Sequence, residues 1–587
     1  MQRWLVLALL PLGLLAASTH AQTLPPWSAP LASGWANAAK AVVLTDMTRC
    51  TPASALSPRM RRGHWKAIPY ELTTGVKGTM VWTSATAQAP PLRIKLGVKG
   101  WHAIFVGLFS GATPTQAWLK LSTDAAPLSR ANSNSDYYGN LRDTLFKVAE
   151  LRGDESLEIA PQSSGYASAC GVGYVRLIPL TEQEIAGIKA DRADHSTHKM
   201  TVTCDGFSFM YARRPTTAES LLAEVEELRD SDVDTLILQQ FGGDKVSYPS
   251  EVGSIPGLEM DDFVEPGHRY FVESVRELAR KKINPVKVII DGAHALGIQV
   301  HVGIRPAGSS WAEPYAEFWE TPFYRSHPEW RCVDRDGTPT TRLSWTVPEV
   351  RRHLIDLLRE MVGFGADGAN IVFNRGLPVV LYEEPFCQQF RARYGVDART
   401  LDDTDPHIAR LRADIVTTFM REVRTMLDEE QKRRGDGKRL LLSAVVLGNE
   451  DDNAWYGVDI RRLVREGLLD HIMIYPFDFG ARKGGFDLAF FREVCKPKGI
   501  PFRPAGAFDT KKLLEYAAGH YADGADGIAI WDAVGRDIDD WLPLSRMGHE
   551  AEMRARLKAG LPRSRYYYFH RLGNNVMDGR FSPIWGG

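Results

Sequence analysis

The chain has 587 residues, too many for one hydrophobic core of ordinary size, so at least two domains are expected. Its 71 Lys and Arg balance 72 Asp and Glu; no net field recruits nucleic acid or an anionic membrane, and a neutral partner is allowed. Nothing in the composition specifies an oligomeric state.

Residues 1–21, "MQRWLVLALLPLGLLAASTHA", combine Arg3, an apolar run from Trp4 to Ala17 and small residues at Thr19 and Ala21. That pattern predicts a signal peptide cleaved after Ala21 and a periplasmic or secreted protein. The run is too short and wrongly flanked to span a bilayer, and no later segment is long enough. Residues 22–40 form a Pro- and Ala-rich leader. Of the six cysteines, Cys50 and Cys170 bracket the first domain and are the best-placed pair for a disulfide. Cys204, Cys332, Cys387 and Cys495 suggest no pairing and read equally well as small buried hydrophobes.

Residues 41–185 contain short runs such as "GTMVWTS", "LRIKLGV", "HAIFVGLF" and "GYVRLIPL", β-branched and aromatic with little helical period. They predict an all-β sandwich, jelly-roll-like and of carbohydrate-binding type in pattern. Residues 181–198 are polar and read as a linker with about one helical turn.

From 199 to 535 the pattern changes to short apolar strands alternating with amphipathic helices. The strands lie in "KMTVTCDGFSF", "VDTLILQQFGGD", "IQVHVGIRP", "ADGANIVFNRG", "RLLLSAVVLGNEDD", "DHIMIYPFDFG", "IPFRPAGAF" and "ADGIAIWDA". Eight βα units imply a parallel sheet covered by helices and closed as a (β/α)8 TIM barrel. Residues 536–587 follow as an extension folding onto the barrel or the domain junction. No GxGxxG or phosphate loop favours an open dinucleotide-binding sheet, and no GxSxG supports a serine hydrolase. The first strand lacks a His-x-His pair, so neither a metal nor a cofactor is implied.

In a barrel the chemistry sits where strands end and helices begin. The stretch "LYEEP" after the fourth strand offers Tyr382, Glu383 and Glu384, with Pro385 suited to a first helical turn. Other strand ends offer Asp205, Gln239, His301, Arg305, Asn374, Asn449, Glu450, Tyr475, Asp478, Arg503, Trp531 and Asp532, and the aromatic loop after the third strand adds Trp311. Carboxyls on separate loops facing one cavity suit glycoside hydrolysis, one protonating the leaving oxygen and the other attacking or activating water. Glu383 or Glu384, with Glu384 favoured, is the expected acid/base and Glu450 its partner, with Asp478 and Asp532 in reserve. The remaining residues are expected to bind sugar hydroxyls or stack on rings.

The runs "AHALGIQVHVGIRP", "YRSHPEWRCVDRDGTP" and "VPEVRRHLIDLLREMVGFGADGANIVF" resemble bacterial glycosyl-hydrolase-like proteins, the family 10-like glycosylhydrolases. The resemblance spans roughly residues 200–535 and implies a barrel acting on or binding carbohydrate. The wider group often carries acids at the end of the fourth strand itself, where this chain has Val372, Phe373 and Asn374. A glycoside hydrolase acting on a poly- or oligosaccharide is therefore expected. The alternatives are a non-catalytic glycan-binding protein and, less favoured, a metal-dependent carbohydrate esterase.

Overall fold

The computed structural model describes residues 24–573 apart from 112–113, 135–138, 163–168, 307, 477–483, 507–508 and 533–534. The expected signal segment lies outside the described residues.

Eight parallel strands form one sheet: β1 (Met200–Asp205), β2 (Val233–Gly242), β3 (Gln299–Arg305), β4 (Gly368–Val372), β5 (Leu441–Val446), β6 (His471–Ile474), β7 (Phe502–Pro504) and β8 (Ile528–Ile530). Each pairs with the next through β7, β8 returns to pair with β1, and a bridge between Ala505 and Ala529 links β7 to β8. The sheet thus nearly closes into a barrel. Its strands are short and apolar because helices cover the outside while side chains fill the inside; all of β4, Gly-Ala-Asn-Ile-Val, is buried.

The helices are specified locally. Pro348–Gly363 starts with proline in its first turn and buries Val350, Leu354, Leu357, Leu358 and Met361, a stripe at helical spacing. Pro406–Arg434 is capped by Asp405, which accepts from the His407 N–H, and stops at Gly435, whose φ of 67° suits glycine.

The period of two along each strand divides the barrel interior into layers. At the N-terminal floor, His301 Nδ1 meets Ser443 Oγ at 2.8 Å and Asn370 donates to the same hydroxyl at 2.7 Å. Beside them Arg503 donates to Thr201 at 3.0 Å and pairs with Asp234. Above the floor, Ile237, Val372, Val445, Met473, Ala505 and Ala529 make an apolar middle, continuous with Tyr475 and Trp531. Asp205 and Arg305 end their strands at the opposite, C-terminal mouth, and Gln239 stands level with Asp205 three residues before the end of β2.

Residues 42–179 supply eleven strands to a twelve-stranded sheet that is mostly antiparallel. Alternation shows again: Val81 enters one hydrophobic cluster while its neighbours Met80 and Trp82 enter another. The twelfth strand is Arg565–Leu572, inserted between Trp65–Leu72 and Asn140–Leu151, so the chain crosses the barrel and returns to complete the first domain. Helices Ile538–Leu544 and Glu550–Ala559 lie in the same extension. The linker holds a twelve-residue helix, Glu182–Ala193, rather than one turn, because Thr181 and Glu184 form a reciprocal capping box.

The two parts are clamped by buried ion pairs. Arg130 meets Glu227 at 2.9 Å, and fully buried Arg142 meets Asp539 at 3.0 Å and also holds Asp537. The expected Cys50–Cys170 disulfide is corrected: both are free thiols buried in the core of the first domain, where packing explains them without a crosslink. Among the described residues no helix is long and apolar enough to cross a membrane.

Candidate active site

The mouth is built where β1, β2, β3, β4, β6 and β8 end. Adjacent register pairs Asp205 with Gln239 across β1 and β2, and a bulge in β2 brings Gly242 opposite Arg305. The Arg305 guanidinium then donates to Asp205 Oδ2 at 2.6 Å and to Gln239 Oε1 at 3.2 and 3.3 Å. The Phe207 N–H donates to the other Asp205 oxygen at 3.0 Å. Burial opposes ionisation of Asp205, but Arg305 and the Phe207 N–H outweigh it and hold its carboxyl below the ordinary range.

Asp532, just after β8, differs. Its N–H donates to Thr203 Oγ1 at 2.9 Å, its carboxyl accepts from the Asp205 N–H, and Oδ1 is buried without a partner among the described residues. Burial first, and the neighbouring Asp205 charge second, push Asp532 up to about 6. Its φ is 48°, the left-handed region in which a non-glycine residue is held at a cost of order 1 kcal/mol. Two neighbouring carboxyls are thus driven apart in acidity, the condition for one to donate a proton while the other stays ionised.

Around this pair the Trp531 and Tyr475 rings lie 5.1 Å apart, and the Arg375 guanidinium sits 5.0 Å over Trp531. Gln239 Nε2, Trp531 Nε1 and both amide atoms of Asn374 are buried without hydrogen-bond partners among the described residues. Such atoms are costly unless a ligand or water meets them. Beside Asp205 and Asp532 opens a cavity of about 310 Å³, walled partly by Gln116 and Gln162 of the first domain. Ser129 fixes that wall, accepting from Gln116 at 2.7 Å and donating to Gln162 at 2.8 Å.

The structure brings Asp205, Gln239, Arg305, Asn374, Tyr475, Trp531 and Asp532 to the mouth, and corrects the placing of several others. The Glu384 carboxylate lies on the outer surface between Arg391 (2.6 Å) and Arg399 (2.8 Å), in the first turn of helix Glu384–Tyr394. Glu383 turns inward but serves the loop: it accepts from Ser344, from the Leu381 N–H at 3.0 Å and from the Val333 N–H at 3.4 Å. Tyr382 donates to Asp403 and accepts from Arg335 at 2.9 Å, away from the mouth. Glu450 pairs with Arg461 at 2.7 Å on an exposed helix start, and Asn449 is that helix's cap, accepting from the Asp452 N–H at 2.9 Å.

His301 and Arg503 belong to the barrel floor, separated from the mouth by the apolar middle; burial lowers His301 to about 4, so it stays neutral. Trp311 is 60% exposed beside Trp319, while Phe318 and Trp319 pack the same loop against Phe207, Phe241 and His268. Asp478 lies outside the described residues.

Sequence reasoning missed Arg375, Arg536, Thr203 and the two glutamines. The first had a signal, since it follows Asn374 directly at a strand end. The glutamines had none, because the wall they form depends on how the domains dock.

No family model matches the chain, and no curated protein matches it. Among solved structures it is similar to a Paenibacillus sp. cycloisomaltooligosaccharide glucanotransferase complexed with cycloisomaltoheptaose, at 11% identity over 76% of this chain and 54% of that one, TM-score 0.31. The chain therefore spans about half the length of that enzyme. It is also similar to a Podospora anserina GH26-CBM35 β-(1,4)-mannanase, at 10% identity over 89% of this chain and 97% of that one, TM-score 0.26. Overlaps this loose carry no argument about chemistry; the barrel rests on its own strand order.

Proposed function

We propose that this protein is an exported glycoside hydrolase in which Asp532 is the general acid and Asp205 the ionised carboxylate. The observation that carries this reading is the opposed acidity of two neighbouring carboxyls at one barrel mouth: Asp532 pushed up to about 6, Asp205 held down. A carboxyl still partly protonated near neutral pH can protonate a departing glycosidic oxygen, and an anionic neighbour stabilises the positive charge that develops on the sugar. Gln239, Asn374 and the Trp531 N–H offer the unmet polar atoms that sugar hydroxyls would engage, and the Tyr475 and Trp531 rings offer an apolar face. The resemblance of roughly residues 200–535 to family 10-like glycosylhydrolases supports a barrel acting on or binding carbohydrate.

The test is reducing-end release from a panel of bacterial, algal and plant glycans by wild type, Asp532→Asn, Asp205→Asn, Glu384→Gln and Glu450→Gln. Loss of several orders of magnitude in the two aspartate variants, with the glutamate variants active, is expected. Wild-type binding without cleavage would replace this reading by a non-catalytic glycan-binding one.

A further inference from the structure

The cavity beside Asp205 and Asp532 belongs to two domains. Thr203, Asp205 and Asp532 line it from the barrel, and Gln116 and Gln162 line it from the first domain. Its volume of about 310 Å³ falls within the range of small-molecule sites, about 300 to 1,000 Å³.

The side chains that dock the first domain leave these two amides out. Along strand Thr115–Leu121 the period of two puts Gln116, Trp118 and Lys120 on one face, the face toward the barrel. Lys120 donates to Glu219 at 2.6 Å, and the Arg213 guanidinium lies 5.8 Å over the Trp118 ring. On strand Leu128–Asn132 the Ser129 N–H and the Arg130 guanidinium both reach Glu227, at 3.0 and 2.9 Å. Among the described residues the side chains of Gln116 and Gln162 make no hydrogen bond to the barrel; both bond to the Ser129 hydroxyl between them.

That arrangement fixes two amides without using them up. Ser129 is tied to the barrel through Glu227, so both amides keep one register against the Asp205–Asp532 pair. Gln116 donates to the hydroxyl and keeps its carbonyl oxygen, while Gln162 accepts from it and keeps its NH2. Gln162 is only 3% exposed, where an amide gives up water and needs another partner. An acceptor and a donor side by side match a sugar hydroxyl, which donates one hydrogen bond and accepts others. A domain seam alone needs neither, since apolar side chains close it at lower desolvation cost.

Resting on the carbohydrate reading of the mouth, we infer that the first domain is part of the active site: Gln116 and Gln162 bind a hydroxyl of the sugar seated beside Asp205 and Asp532, with Ser129 as the positioning residue. The first domain thus selects the substrate at the point of cleavage.

The experiment takes the full chain as wild type, Gln162→Leu and Ser129→Ala, with Gln116→Leu in reserve should the first not fold. The probe is a trisaccharide of whichever panel glycan wild type cleaves or binds, together with its monodeoxy analogues. Leucine nearly keeps the shape of glutamine and removes its hydrogen bonds. Wild type should lose about three- to tenfold in kcat/KM on one analogue. Gln162→Leu should lose as much on the parent trisaccharide and no more on that analogue, and Ser129→Ala, which frees both amides, should blunt the same discrimination. Wild type indifferent to every deoxy position, or variants that keep its response at every position whatever their overall loss, overturns the inference and leaves the hydrolase reading standing. If wild type binds the trisaccharide without cleaving it, the hydrolase reading falls, and deoxy discrimination that disappears from Gln162→Leu binding keeps this one. A wild type that neither binds nor cleaves any glycan of the panel overturns both.

Discussion

Replacing Asp532 by Asn should stabilise the protein at neutral pH while removing its activity. The folded carboxyl is pushed from 3.8 to about 6, chiefly by burial and then by the Asp205 charge. Each pKa unit corresponds to about 1.4 kcal/mol, so ionising this group in the folded state costs about 3 kcal/mol. Because the folded pKa is the raised one, its contribution is fully present below pH 3.8 and is lost as pH rises through about 6. Asparagine does not titrate and tolerates the left-handed backbone as well as aspartate does, so backbone strain should largely cancel. Urea unfolding at pH 3.5 and pH 7.5 reads the difference. The variant should match wild type at the lower pH and exceed it by about 2 to 3 kcal/mol at the higher one. A gap that does not grow with pH, or a variant weaker than wild type at pH 7.5, would refute the claim that Asp532 is held in a site hostile to its charge.

Three further outcomes follow from other parts of the molecule. His549 lies between Asp191 at 3.2 Å and Asp232 at 2.9 Å; burial and Arg546 oppose its charge, but the two carboxylates outweigh them and raise it to about 9. Its contribution should be fully present below pH 6.5 and lost as pH rises through about 9, so the wild-type Tm should fall across that window and the fall should shrink in His549→Gln. Arg142→Ala removes the partner of half-buried Asp537 and buried Asp539; Asp539 keeps its bonds from the Ser564 N–H and hydroxyl, so the cost should be about 3 kcal/mol or less. Calorimetry should show this loss, and activity should fall with it because Asp537 ends the segment that carries Asp532. Glu384→Gln should leave both Tm and glycan cleavage unchanged, whereas Glu383→Ala, which strips the acceptor from Ser344 and two loop N–H groups, should lower Tm at unchanged specific activity.

Much of the barrel could be read without coordinates. Runs such as "LLLSAVVL" and "GANIVF" are almost wholly apolar, as a parallel strand covered on both sides requires, and the helices between them carry their caps in the sequence. The strand ends were legible too, and Asp205, Gln239, Arg305, Asn374, Tyr475, Trp531 and Asp532 were picked from them. The roles were not legible. Glu383 or Glu384 is the acid/base the sequence suggests, with Glu450 as its partner, yet Glu383 stitches Ser344 to the loop, Glu384 meets two arginines outside and Glu450 pairs with Arg461. His301 lies on a strand that does reach the mouth, but four residues before Arg305, and Arg503 lies on β7, which ends beneath it; both sit below the apolar layer.

What the sequence by itself determined is whatever depends on neighbours in the chain: strand and helix periods, caps, and the order of βα units. What only the tertiary structure decided is whatever depends on residues far apart in the chain meeting in space. The acidity of Asp532 arises from its burial against Asp205, 327 residues earlier. The cavity wall arises from glutamines of another domain, and that domain is completed by a strand from the far end of the chain. Desolvation and charge act through space over a few ångströms, and spacing along the sequence does not record that distance.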